Sequence, residues 1–180
     1  VNATADEDGV FRRAQLVNEV ESSFLPSLGF SAYVAYFSVE PEHKVLVDQA
    51  PETPDYRIRF QSPGKERTVT TNSRGELKLR YFGGPDNFVR VGAEEVVLDP
   101  NPAGNQKLRE VFRGKAVLFG SSAFGAHDLR NTPVNSQMPG MYMHANLFHA
   151  LDQNYLYKEE SESFFLSLAF YIFGIGAILL

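Results

Sequence analysis

The chain contains no cysteine, which excludes disulfides, thiol catalysis and cysteine metal ligands. It also lacks an excess of positive charge. Its 17 lysines and arginines stand against 22 aspartates and glutamates, for a formal net charge of -5, and no Lys/Arg-rich run marks a nucleic-acid surface. Nucleic acid is therefore excluded as an expected partner. The opening Val1 is not followed by a basic-then-apolar leader, so no signal peptide is visible and the chain reads as a piece of a longer protein. Internal repeats are absent, as are the Gly-x-Gly-x-x-Gly pattern, the P-loop lysine and the i, i+4 histidine pair of a zincin.

What is present is apolar mass. A 180-residue chain that is 43% hydrophobic, with 15 Phe and 8 Tyr, buries the core of one ordinary domain. Residues 164–180, "FFLSLAFYIFGIGAILL", carry no charge, and their apolar side chains go all the way round a helix. Such a helix reaches about 25 Å, most of a hydrocarbon core of about 30 Å. These residues are expected to start a transmembrane helix, with 1–157 as the domain ahead of it. The segment before the span, "YKEESES", has Lys158 as its one basic residue, and because positive charge gathers on the cytoplasmic side of spans the domain is expected outside.

Periodicity predicts an α/β fold, a mixed sheet flanked by helices. Residues 10–20 read as a strand; the next stretch reads as a helix capped by Ser22 or Ser23, with Pro26 in its first turn. "KVLV", "YRIRF", "RTVTT" and "ELKLRYF" read as strands, the last two as a hairpin through "NSRG". "VRVGAEEVVLD" suggests a short strand edge and one helical turn, and "NQKLREVF" a short helix stopped by Gly114. The run "KAVLFG" reads as a strand covered on both faces, then a long loop, then a helix from near Tyr142 to Tyr155 leading into the span. Ligands in such sheets sit at the carboxyl ends of strands, where the loop begins.

That loop holds the residue types of several chemistries. Ser122, Asp128 and His144 follow the Ser, Asp, His order of α/β-hydrolases. However, Phe124 stands where a nucleophile elbow needs a small residue, and Asp128 comes too soon after Ser122. His127, Asp128, His144 and His149 lack a recognised metal spacing, so no metal or other cofactor is expected. An anion at backbone N–H groups after Phe119 stays open. His144 reads as a mostly buried imidazole hydrogen-bonded to the loop, with Asp128 as its partner or as a turn cap. Asp6 and Asp8 before Gly9 lack the remaining calcium ligands and read as a structural turn.

Four elements in order resemble the second CHASE type of bacterial extracellular sensory domain. They are "DEDGVFRRAQLV", "LPSLGFSAY", "NSRGELKLRYFGGPDNFVRVGAEEVV" and "FRGKAVLFGSSAFGAHDLRNTPVNSQMPGMYMHAN". Residues 40–56 match nothing in that pattern. The resemblance implies a non-enzymatic sensor on the periplasmic or extracellular side of a bacterial inner membrane. It implies a cytoplasmic effector such as a nucleotide cyclase or histidine kinase, a homodimer, and a further α/β half ahead of Val1. It brings no agreed ligand; an unknown small molecule or protein supplies the signal. Among the residues matching the family's pattern are Arg12, Arg13, Tyr81, Gly120, Asp128, Thr132, Pro133, Pro139, Gly140, His144, Ala145 and Asn146. The expected pocket lies between the loop 121–139 and the start of the last helix, with 81–85 on its edge. Its expected ligand contacts are Tyr81, Ser121, Ser122, His127, Asp128, Thr132, His144 and Asn146. A dimerisation or interaction module without a small ligand is the open alternative; a serine hydrolase is the least favoured.

Overall fold

The computed structural model describes residues 3–21, 23–37, 45–51, 53–101, 104–121 and 128–157. The expected strand over residues 10–20 is two strands, β1 (Arg13–Gln15) and β2 (Val17–Val20). Leu16, between them, is wholly buried, donates its N–H to Gly75 O at 2.9 Å and accepts from Ser27 N at 2.8 Å. The chain turns there because its two sides serve different sheets. β2 forms a hairpin with β3 (Ser23–Pro26), and Phe24 of β3 meets Tyr56 edge-on at 5.0 Å.

Helix α1 (Leu28–Phe37) therefore starts later than Ser22 or Ser23 would place it. Its N-terminus is held by Ser27, whose Oγ accepts from Phe30 N at 3.4 Å, while Pro26 ends the hairpin. β4 (Leu46–Gln49), β5 (Tyr56–Ser62) and β6 (Lys65–Thr71) form an antiparallel sheet in that order. Alternation puts Ile58, Phe60 and Ser62 of β5 and Arg67, Val69 and Thr71 of β6 on the buried face.

The expected hairpin between residues 68 and 82 does not form, because β6 pairs with β5 instead. The turn itself is present, with Gly75 N donating to Asn72 O and Asn72 N to Glu76 O, both at 2.9 Å. It redirects the chain into β7 (Glu76–Leu79), the middle strand of a second antiparallel sheet between β1 and β10 (Leu156–Tyr157). Leu77 and Leu79 there reach the core opposite Ala14 and Leu156.

Helices α2 (Ala93–Val97) and α3 (Gln106–Phe112) lie where the sequence places them, α3 capped by Asn105 Oδ1 accepting from Leu108 N at 3.2 Å. No strand forms over 115–119, contrary to expectation. Tyr36 Oη donates to Gly114 O at 2.6 Å at one end, and Gly120 packs against Met141 at the other. Between them Val117 and Phe119 are exposed and no neighbouring strand among the described residues pairs with them. An apolar run becomes a doubly covered strand only where partners exist to cover it. Part of the expected loop is instead a hairpin, β8 (Leu129–Thr132) with β9 (Asn135–Pro139).

Helix α4 (Met141–Asp152) crosses α1 so closely that a Cβ on Gly29 would lie 3.1 Å from His144 O. Around this crossing sit Phe30, Tyr33, Phe60, Leu147, Ala150 and Leu151, all buried, with Tyr33 edge-on to Phe148 at 5.4 Å and to Phe60 at 6.0 Å. Each of the leucine and phenylalanine side chains contributes about 1.5–3 kcal/mol by leaving water. α4 stops at Asp152, short of Tyr155; Asn154 takes a left-handed φ of 57°, and β10 follows. The domain is thus α/β in content, but its strands make several small antiparallel sheets rather than one mixed sheet. No helix among the described residues is long and apolar enough to cross a membrane, and the expected span over 164–180 lies outside them.

Candidate functional site

Tyr81, just after β7, is half-buried and donates its hydroxyl to Phe11 O at 2.8 Å. Phe11 N donates in turn to Asn131 O at 2.7 Å, so one residue ties Tyr81 to the β8–β9 hairpin. Burial pushes the Tyr81 phenol well above its usual value, and it stays a donor.

Asn146 is fully buried on α4, and both ends of its amide are used. Oδ1 accepts from Phe82 N at 2.7 Å and Gly83 N at 3.3 Å; Nδ2 donates to Tyr142 O at 2.8 Å and Gly83 O at 3.2 Å. The passage 81–85 is thereby fastened to α4, as the two were expected to be neighbours. Thr132 is also buried, and its hydroxyl closes the β8–β9 turn, donating to Asn135 O at 2.8 Å and accepting from Asn135 N at 3.1 Å.

Asp128 pairs with Arg130 at 3.0 Å, and its backbone O accepts from Gly140 N at 2.8 Å. No hydrogen bond joins it to His144, so the expected partnership is an electrostatic influence only. His144 is half-buried against Gly29; burial lowers its pKa below the usual value, and the Asp128 charge opposes that shift. Ser121 is exposed, while Ser122 and His127 lie outside the described residues. Among the described residues no three His, Asp or Glu side chains converge as a metal site.

A second constellation sits on the solvent-facing side of β1 and β7. A cleft of about 560 Å³ is lined by Ala5, Asp6, Glu7, Asp8, Arg12, Arg13, Asn72 and Arg74. Arg12 spans two carboxylates, reaching Asp6 at 3.0 Å and gripping both oxygens of Asp8 at 2.8 Å. Arg13 reaches the other oxygen of Asp6 at 2.5 Å. The Arg12 guanidinium, with the Val10 N–H, holds the Asp8 carboxyl down at about 2. Across the cleft, Asn72 Oδ1 accepts from Arg74 N and Glu76 N, both at 3.0 Å, and Arg74 Nε rests on the buried Glu76 carboxylate at 3.1 Å. The turn expected from Asp6 to Gly9 is present, with Gly9 N donating to Asp6 O at 2.9 Å and Asp6 N to Val10 O at 3.0 Å. Its legible signal was the charge order of "DEDGVFRR", in which Asp8 and Arg12 stand four apart.

Neither the curated proteins nor the solved structures contain a match to this chain. The CHASE2 domain model, that of a sensory family, matches residues 1–180, and the chain belongs to that family.

Proposed function

We propose that the chain is the extracytoplasmic ligand-sensing domain of a bacterial membrane receptor and regulates a cytoplasmic effector, such as a nucleotide cyclase or a histidine kinase. The observation that carries this is the family match over the whole chain. In support, the last described strand, β10, is wired to the rest of the domain through β7, and α4 packs across α1 just before it. A sensor needs two arrangements whose balance a ligand shifts, and displacement of α4 and β10 is the route by which that shift leaves the domain. The apolar segment 164–180 is the membrane anchor, and the receptor works as a homodimer.

The test is a thermal-shift screen of the whole chain in detergent against metabolites, inorganic anions and divalent metals. Asp128→Ala and His144→Ala are run alongside. A shift that at least one compound produces supports sensing. Its loss in variants that keep their own melting temperature places the site by the 121–139 loop, and its persistence places the site elsewhere. If no compound acts, the second reading gains: an interaction module. The segment 115–119 favours it, since its Val117 and Phe119 are exposed and its backbone pairs with no strand among the described residues.

A further inference from the structure

The charged cleft beside β1 has a bonded and an unbonded set of groups. Asp6, Asp8 and Arg12 satisfy one another, and Arg13 is bonded to Asp6, which fixes this part of the lining. Glu7 and Arg74 are different. Glu7 is exposed and makes no hydrogen bond or ion pair among the described residues. Arg74 uses only Nε, on Glu76, and among the described residues leaves both terminal nitrogens unbonded. These two unused groups are of opposite sign and line the same cleft. Three carboxylates and three guanidinium groups line it in all, so its charge disfavours a pure anion or a pure cation and suits a neutral dipole.

We propose that this cleft binds a small zwitterion of the α-amino-acid class, with the ligand carboxylate on the Arg74 fork and its ammonium on Glu7. This rests on the sensing reading and supplies that reading with a ligand class and a place. A planar guanidinium with two free amines matches a carboxylate in a bidentate pair, and the unbonded Glu7 carboxylate lining the same cleft completes recognition of the α-amino group. The cleft is also coupled to the chain's exit. Arg13, Lys78 and Tyr157 lie opposite one another in register on β1, β7 and β10, so all three side chains share one face of the sheet. A ligand that tightens the contact between the two cleft walls pulls on β1 and on the turn before β7, the strand that carries β10.

Isothermal titration of the whole chain with glycine, leucine, glutamate and lysine tests this, followed by the N-acetylated and the amidated form of the best binder. Each derivative removes one of the two charges. Glu7→Gln and Arg74→Lys are the variants; lysine keeps a positive charge over Glu76 but loses the fork. The expected result is binding of at least one amino acid, weakened about 10-fold or more by either derivative and by either variant, the size of one lost charged hydrogen bond. Binding that survives both variants overturns the inference, as does the absence of binding by all four amino acids. A non-zwitterionic compound found in the thermal-shift screen, unaffected by Glu7→Gln, would then leave the sensing reading standing while this inference falls.

Discussion

Arg67 of β6 donates from Nη1 to the carbonyl of Leu151 in the last turn of α4, and from Nη2 to Asn154 Oδ1 just beyond it. The guanidinium is buried and, among the described residues, pairs with no carboxylate; Tyr33 Oη, at 3.1 Å, is a further partner. Its charge is balanced by the carbonyl end of a helix, where a cation is favoured. The β5–β6 hairpin thus grips the point at which α4 turns towards β10.

Arg67→Met is expected to lower stability by about 2–4 kcal/mol, since hydrogen bonds from a charged group are each worth about 1.5–3 kcal/mol. It is also expected to speed amide exchange at Gln153, Asn154 and Tyr155, whose N–H groups close the end of α4 on His149, Leu151 and Ala150. Denaturant melting and residue-resolved hydrogen exchange measure the two effects. Protection unchanged at those three amides would show that Arg67 does not hold the exit.

Replacement of Asn146 strands several polar groups at once. Asn146→Ala leaves Phe82 N, Gly83 N and Gly83 O without the partners they have in the folded domain. The expected loss is about 2–4 kcal/mol in urea unfolding, at roughly 1–3 kcal/mol for each buried group left unpaired. Asn146→Asp keeps the acceptor but buries a carboxylate oxygen against Gly83 O and Tyr142 O, so it is expected to cost at least as much as the alanine variant. A loss below about 1 kcal/mol for the alanine variant would mean that water replaces the amide.

His144 predicts a pH dependence. Burial lowers its folded pKa, so in the window below the unfolded value of about 6.5 the unfolded chain binds the proton first. Its contribution is complete above that value and is lost as the pH falls towards the folded pKa. The urea midpoint is expected to fall from pH 7.5 to pH 5.5 in the parent, and to fall less in His144→Gln. Equal declines would assign the effect to other groups.

Two glycines with the same φ of 73° separate backbone strain from close packing. At Gly64 a Cβ meets nothing, whereas at Gly75 it would lie 2.3 Å from Val17 O. Gly64→Ala is expected to cost about 1 kcal/mol, from the left-handed conformation alone. Gly75→Ala is expected to cost about 3 kcal/mol or more, because the turn is docked on the junction of β1 and β2. Equal melting temperatures for the two variants would contradict that docking.

Local patterns were legible in the sequence wherever the signal was itself local. The helices over α3 and α4, the alternation of β5 and the turn at Asn72 to Gly75 all follow from spacing and turn chemistry. Pairing was not legible. "RTVTT" and "ELKLRYF" have the pattern of a hairpin, yet β6 takes β5 and β7 takes β1 and β10, a choice made by which faces reach the core. The same holds for "KAVLFG", where apolar content stood in for partners that the described residues do not supply. In the candidate site, Asn146 is expected as a ligand contact, and its four bonds to the 82–83 backbone and to Tyr142 O could not be read from its neighbours. The charged cleft was missed because Asn72 and Arg74 join Asp6 and Arg12 only across paired strands.

The central claim is that ligand binding is felt where the chain leaves the domain. The most direct measurement is hydrogen exchange of the whole chain with and without the compound that gives the largest thermal shift, resolved over Gln153 to Tyr157. The account predicts a change in protection at these amides, larger than any general stabilisation of the β5–β6 hairpin. Protection that changes only around the ligand, or for no compound at all, would contradict it.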